Sequence, residues 1–591
     1  SIAVDMVIII PTYQAQLPQA ERIKTYHEQH DGLRVRIVPA DELINEFSSG
    51  TPDATAYRRY MKMLYDRAET VSDMPKYLLL LGDGAWDNRM LSIAWKTETP
   101  DNFLLCYESE NSGSSTDCYV TDDYFCLLDD NEGGDMLHTD KPDVAVGRFP
   151  VRTVEQAIVM VDKIENYINN QHAGAWQNTV CVLGDDGNGN QHMKDADNVA
   201  KTIEKARPSI QVKRVMWDAY PRVATATGNR YPDVTRLLKQ QMSSGALLMN
   251  YSGHGAPNSF SHEYVLTLQD FEETISPRLP LWVTASCDIM PFDGQKDNIG
   301  EAAILNKNGG AIAFYGTTRT VYQSYNALMN LAFTRHLFGT DSQERIAIGE
   351  AVRRAKNELI QTGGDQTVNK LQYSLLGDPA LLLAMPTAPV VIDAINKKTL
   401  ASLTDDLHIG AGETVTIDGH IATQEGQEDN NFNGEITAIV RDAAEEIVCR
   451  LNDPSEADVP FTYIDRTKML YQGSDSVQQG RFSFSFTVPR DISYADATGL
   501  ITIYAVSSDK QKEASGYTDR IIFGGTGHEG NDHEGPSVFC YLNSSSFVDG
   551  GTVNPTPFFV AELADSSGIN STGNGIGHDL QLIIDGELAR T

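Results

Sequence analysis

Two residues in the 591-residue chain have the types and surroundings of a nucleophile and its base, Cys287 and His254. His254 stands between two glycines in MNYSGHGAPN (249–258), directly after the apolar run 245–251. Cys287 closes a second apolar run, LPLWVTAS (279–286). Cysteine catalysis of acyl transfer needs an imidazole that takes the thiol proton, or stabilises the thiolate, and then protonates the leaving amine. The backbone N–H groups of Gly255 and Cys287 would form the oxyanion hole for the scissile carbonyl. Glycine on both sides of His254 permits the close backbone approach that such a hole requires. Buried cysteine is also a common core residue, so spacing alone leaves a purely structural pair open.

The pair acts together only if the fold brings two distant segments to one place. Residues 254 and 287 are separated by a single helical stretch, about 266–275, giving the order strand, loop, helix, strand, loop. A right-handed crossover of this kind places the two strands side by side, and open α/β sheets build their sites at the C-terminal strand edge. The same grammar runs through residues 1–385. MVIIIP (6–11), VRIVPA (35–40), KYLLLLGD (76–83), DVAVGRFP (143–150), TVCVLGDD (179–186), VKRVMW (212–217) and GGAIAFYG (309–316) read as strands between amphipathic helices such as 55–69 and 153–170, the second opening on a capping box at Thr153. Continuous apolar strands alternating with helices predict parallel sheets covered on both faces. The strand number predicts two sheets, divided near 171–178.

After LLGDPALLLAMPTAP (375–389) the helical period gives way to short alternating strands at 414–421, 434–442, 481–489 and 499–507, the pattern of an immunoglobulin-like β-sandwich. The predicted domains are 1–172 and 173–386 (two α/β subdomains), 387–525 (the sandwich) and 526–591 (a linker and part of a further β domain). The Gly/His/Asp/Glu-rich stretch 524–535 reads as the linker, and the β pattern breaks off at Thr591, as in a truncated domain. The start, Ser1-Ile-Ala-Val, has neither a Met nor a basic-then-apolar leader, as in a processed or excised chain.

Forty-seven basic against 81 acidic residues give a net charge of −34, which argues against a nucleic-acid partner and fits a secreted or surface protein. No apolar stretch reaches the roughly 20 residues of a membrane-spanning helix. Seven cysteines without a CxxC argue against a disulfide scaffold or structural zinc, and a disulfide among Cys106, Cys118 and Cys126 stays open. LLGDGAWDNR (80–89) lacks the GxxxxGK[ST] pattern of a phosphate loop. The acidic turns 122–130 and 428–435 are the candidates for structural calcium, against the simpler reading as solvated turns.

The words around the pair go further than its spacing. An apolar block into His-Gly, then a second into a small residue and Cys, is shared by caspases, legumains and gingipains. This chain resembles the gingipain family: LLMNYSGHG, LPLWVTASC, VAVGRFPV (144–151), VYQSYN (321–326) and LLGDPALLL (375–383) match its blocks in order, over about residues 5–385. The resemblance implies a caspase/gingipain-like two-subdomain catalytic unit, Cys287 as nucleophile and His254 as general base and acid. An acid after the first strand of the second subdomain orients the imidazole in that family, which points to Asp186, with Asp185 just behind. The acidic specificity pocket of the arginine-specific members falls near His192 or Met193, so it is expected to be missing. Tyr325 is expected in a pocket wall.

Within the family, 121–133, 298–322 and 565–586 resemble the branch that serves as the sortase of the type IX secretion system. That implies a cell-surface enzyme of the outer membrane that removes C-terminal sorting domains from secreted cargo. It passes the new carboxyl end to a lipopolysaccharide amine, needs no cofactor and works beside other outer-membrane secretion components. A plain hydrolase that uses water, and a non-catalytic scaffold of the secretion machinery, are the alternatives. An intact His254–Cys287 pair weighs against the scaffold.

Overall fold

The computed structural model describes residues 3–339, 345–490, 492–493, 496–526, 537–564, 582–584 and 587–590. Ten strands build its central sheet: β1 (Met6–Ile10), β2 (Val35–Pro39), β3 (Tyr77–Leu81), β4 (Ala145–Phe149), β5 (Thr179–Gly184), β6 (Gln211–Met216), β7 (Leu248–Ser252), β8 (Leu281–Ala285), β9 (Ala313–Thr317) and β10 (Tyr373–Leu376). Every residue of β1, β4, β7, β8 and β9 is buried. This is the consequence of continuous apolar strands with helices on both faces.

The strand order is β2-β1-β3-β4-β10-β9-β8-β7-β5-β6. The expectation of two sheets is therefore corrected to one continuous sheet. Its two halves, β1–β4 and β5–β9, are joined through β10, which runs antiparallel to β9 and meets β4 only at Leu376 opposite Arg148. The join depends on the absence of a side chain at Gly147, where an added Cβ would lie 2.3 Å from the Gly377 carbonyl oxygen. Nothing in the local period of either strand announces a contact made across more than 200 residues of sequence.

Helix Val154–Ile168 opens on the expected capping box, closed by Gln156. The helical stretch expected at about 266–275 appears as the short helix Leu268–Glu273, and the loop before it carries a three-stranded ribbon (Gly255–Ala256, Ser259–Phe260, Leu266–Thr267).

Residues 388–526 form a β-sandwich. Strand Ala388–Ile395 links the two runs of its eight-stranded sheet, pairing Ile417–Ile421 on one side and Ala514–Ser515 on the other. An excursion from the sandwich, 442–468, reaches back onto the α/β unit. Asp218 accepts the backbone N–H groups of Leu451 and Asn452 at 2.7 and 2.8 Å, Arg222 pairs Asp453 at 2.7 Å, and Asn190 donates to the Val459 carbonyl at 2.8 Å. Cys449 and Tyr463 from this excursion belong to the same hydrophobic core as β5–β9.

Residues 527–535 of the proposed linker and most of the 565–586 stretch lie outside the described residues, while 524–526 end the strand Ile521–Thr526. All seven cysteines are free, so no disulfide joins Cys106, Cys118 and Cys126. No described helix is long and apolar enough to cross a membrane.

Candidate active site

Strand register assembles the site. β7 lies between β8 and β5, with Ser252 level with both Ala285 and Gly184. The next residues of the three strands therefore emerge together at one edge: Ser286-Cys287 from β8, Gly253-His254 from β7 and Asp185-Asp186 from β5. The Gly253 N–H donates to the Ala285 carbonyl at 3.3 Å and the Asp185 N–H to the Ser252 carbonyl at 3.2 Å, which carries the alignment one step past the strands.

The glycines are demanded by space. A Cβ on Gly253 would lie 2.2 Å from the Tyr251 hydroxyl, and one on Gly255 would lie 2.1 Å from Ser286 Oγ. A third, Gly187, lies flat against the imidazole, since its Cβ would meet His254 Nε2 and Cδ2 at 2.8 Å. The Ser261 N–H donates to the His254 carbonyl at 2.9 Å, which makes Gly255 and Phe260 a non-hydrogen-bonded pair of the ribbon. The Gly255 N–H consequently points away from that ladder, the orientation an oxyanion donor needs.

The His254 ring is half-buried and boxed in by other imidazoles. His262, exposed, stacks on it at 4.5 Å between centroids and 17° between planes, and His192 meets it edge-on at 4.8 Å. Burial pushes His254 below the ordinary histidine value; the Asp185 carboxylate opposes this and the neighbouring imidazoles add to it. Burial pushes the Cys287 thiol up, which the Val321 N–H opposes and the Asp288 carboxylate reinforces. Among the described residues no hydrogen bond joins thiol and imidazole. Cys287 Sγ donates to the Val321 carbonyl at 3.4 Å and accepts from its N–H at 3.5 Å. Both shifts favour the uncharged forms, a thiol and a neutral imidazole.

The acid at this edge is divided between two residues. Asp186, expected to orient the imidazole, accepts the Tyr231 hydroxyl at 2.6 Å, and burial raises it to about 7. Asp185 is the one tied to His254: it accepts the His254 backbone N–H at 2.7 Å, the Tyr251 hydroxyl at 3.1 Å and the Gly187 N–H at 3.1 Å, and it pairs His192 Nδ1. Burial alone would raise it, but His192 and these donors hold it below the usual carboxylate range. Its hydrogen bonds reach the backbone and surroundings of His254, and it acts on the ring through charge alone. Successive residues at a strand end point to opposite sides, and here the pleat turns Asp185 toward the His254 backbone and Asp186 toward Tyr231.

Met193 is fully buried, its Cα 2.8 Å from where a Gly184 Cβ would sit. This corrects the expectation that it lines a substrate pocket: it packs the first helical turn onto β5. His192 is buried against Asp185 and under His254, while Tyr325 is half-buried on helix Gln323–Phe338. Sequence reasoning passed over His262 and Asp288, although the second stands next to the cysteine.

The acidic turns largely close on themselves. Asp122 is buried against Arg148 at 2.7 Å and Asp123 against Lys356 at 2.6 Å, while Glu428 pairs Arg481 and Asp429 pairs Lys512. Oxygens of Asp129, Glu132 and Asp143 lie within 4.8 Å of one another, a donor set that suits a hard cation. Each also accepts a protein hydrogen bond, from Tyr65, from the Lys141 N–H and from the Leu128 N–H respectively.

A family model of peptidase family C25 matches residues 1–384. The chain belongs to peptidase family C25. The matched range is the whole α/β unit, so the C25 assignment makes the chain a cysteine peptidase by family and covers both halves of the sheet. Among solved structures, dimeric latent PorU from Porphyromonas gingivalis is 30% identical, covering 99% of this chain and 49% of that one, with a TM-score of 0.42. The chain thus spans about half the length of that protein. The Arg-specific cysteine proteinase gingipain R (RGPB) is 15% identical, covering 88% of this chain and 98% of that one, with a TM-score of 0.50, and shares the C25 fold. A comparison with curated proteins finds no match.

Proposed function

We propose that the protein is a cell-surface cysteine endopeptidase that works as a sortase, with Cys287 as nucleophile and His254 as its base and acid. The observation that carries the reading is the three-strand register, which delivers Asp185, His254 and Cys287 to one edge of a C25 unit. The sortase branch rests on the sequence blocks 121–133 and 298–322.

In this reading cargo binding frees the thiol from Val321. Sγ attacks the scissile carbonyl while the neutral imidazole takes its proton, as expected when neither partner is charged at rest. The Gly255 and Cys287 N–H groups receive the oxyanion. His254 then protonates the departing amine, which carries away the sorting domain, and leaves a thioester on Cys287. A lipopolysaccharide amine resolves the thioester: the C–N bond forms, the C–S bond breaks, and the amine's surplus proton returns to sulfur through His254. Asp185 fixes the His254 backbone and Asp186 accepts the hydroxyl of the buried Tyr231. His192 and Tyr325 flank the cleft.

The chemistry calls on no cofactor; for a structural calcium ion the donors would be Asp129, Glu132 and Asp143. The partners are secreted cargo with C-terminal sorting domains, the lipopolysaccharide acceptor and other outer-membrane secretion components, on the outer face of the outer membrane.

The test is mass spectrometry of Cys287 after incubation with peptide vinyl sulfones and with a purified cargo tail, for wild type and His254→Ala. Labelling of Cys287 that His254→Ala abolishes supports the dyad. Cargo joined to an added amine supports the sortase, and cargo released only as free acid selects the hydrolase. Cys287 left unmodified with cargo and secretion machinery both present selects the scaffold.

A further inference from the structure

The geometry assigns a cation-binding subsite to Asp288, the residue after Cys287: its carboxylate seats a primary ammonium or guanidinium group beside the reacting sulfur. The assignment rests on the reading of Cys287 as nucleophile.

The first observation is the backbone. Asp288 has φ 56°, the left-handed region that side-chain-bearing residues seldom occupy. The turn is pinned from both sides, by the Asp288 N–H on the Arg319 carbonyl at 3.1 Å and the Met290 N–H on the Thr317 carbonyl at 3.0 Å. Backbone strain of this kind concentrates at functional sites, where the surrounding structure holds it in place.

The second is the side chain. It is half-buried, and among the described residues its carboxylate has neither a hydrogen bond nor an ion pair. Arg319 is close enough to lower it electrostatically, yet Arg319 is committed elsewhere, to Asp293 through two contacts of 2.9 and 2.6 Å and to Glu108 at 3.7 Å. A half-buried carboxylate left without a partner is costly, and in this molecule the other buried carboxylates of the sheet edges have one.

The third is what that charge does. It pushes the Cys287 thiol up and so works against the nucleophile in the empty site. A cation seated on Asp288 cancels the charge, which removes the desolvation cost and favours thiolate formation together. Arg319, Asp293 and Glu108 are the charged groups facing this position, and none of them supplies a free positive charge.

Two sources carry such a group, a basic residue of the cargo next to the scissile bond and the acceptor's amine, which binds as the ammonium and gives up one proton to solvent through His254 before its lone pair attacks the thioester; they act in different half-reactions. The experiment uses the full chain and peptide thiobenzyl esters as acyl donors. The first arm compares acylation of Cys287, read by intact mass, for donors ending in Lys and in Ala. The second compares partition of the acyl-enzyme to ethanolamine, a cation at neutral pH, and to hydroxylamine, which is uncharged there. Asp288→Asn and Asp288→Gly both tolerate the left-handed backbone and remove the charge.

The expected result is that both variants lose about tenfold of the charged-over-neutral preference in one arm, which names the source. Such a ratio corresponds to about 1.4 kcal/mol. Acyl-enzyme formation with the same preference in wild type and both variants, in both arms, overturns the subsite and leaves the nucleophile intact. Failure of any donor to acylate Cys287 overturns the nucleophile reading and the subsite with it.

Discussion

On the β3–β4 side of the sheet, Asp83 faces Arg152, Asp122 takes both Nε and Nη2 of Arg148, and Arg148 also donates from Nη1 to the Gly82 carbonyl and from Nη2 to the Leu105 carbonyl. On the β5–β7–β8 side three groups are half-buried and left open. The Cys287 thiol has only a weak bond to Val321, the His254 ring has stacking partners in place of an acid, and Asp288 has no partner among the described residues. Both edges bury charge. One has closed its network and the other leaves it incomplete among the described residues. A buried ionisable residue becomes a site candidate by lacking a partner, more than by being buried.

The sharpest way to break this contrast is to remove the open groups. Cys287→Ala and His254→Ala are each expected to lower kcat/KM on cargo by at least about 10⁴-fold while the melting temperature stays put, as when either member of a catalytic unit is deleted. Equal loss of folding in both would mean that they are structural. The neutral resting pair adds a pH signature. Alkylation of Cys287 by iodoacetamide is expected to climb through a thiol value above the ordinary ~8.5, without the low-pH plateau of a thiolate–imidazolium pair. A rate that is flat from pH 5 upward would refute the resting state described above.

Next in size is the exchange of roles between neighbouring aspartates. Asp185→Asn leaves His192 and the His254 N–H without their charge partner and is expected to cost about 10²-fold in kcat/KM, the size of a lost preorganising group. Asp186→Asn, which keeps a hydrogen bond to Tyr231, is expected to stay within about threefold. The reverse order would restore the reading made from the sequence.

That reading reached as far as local signals extend. The His-Gly and Ala-Ser-Cys segments lie beside runs whose period fixes them as buried strand ends, so the pair and its edge were legible. The pleat at Asp185 and Asp186 was not, because the two residues are chemically equal and only the strand's exit angle tells them apart. Met193 was misplaced for a related reason: a helix's first turn shows an apolar residue, but whether it faces cleft or sheet depends on Gly184 leaving room beneath it. The single sheet was hidden because β4 and β10 meet across the chain at one residue pair and two glycines.

On the closed side the contrast predicts stability without chemistry. Arg148→Ala would leave Asp122 buried and uncompensated, and the expected loss is about 3–5 kcal/mol in denaturant unfolding, with unchanged turnover per folded molecule. A change in turnover with no change in stability would place Arg148 in the active site instead.

The smallest effect expected comes from another closed cluster, His27 between Asp31 and Asp378, which ties the first helical segment to the turn after β10. Burial alone would lower His27, but the two carboxylates outweigh it and hold the ring protonated to about 10. A group raised above its unfolded value stabilises in full below that value, about 6.5, and loses the contribution as pH rises through its folded value. Unfolding free energy should therefore decline between about pH 6.5 and 10 by an amount that His27→Gln removes. Cysteine reactivity measured over the same range should not follow it, because the His27 cluster is complete without a ligand. If His27→Gln shifts the alkylation profile of Cys287 as well, the two edges are coupled and the division between a closed half and an open half fails.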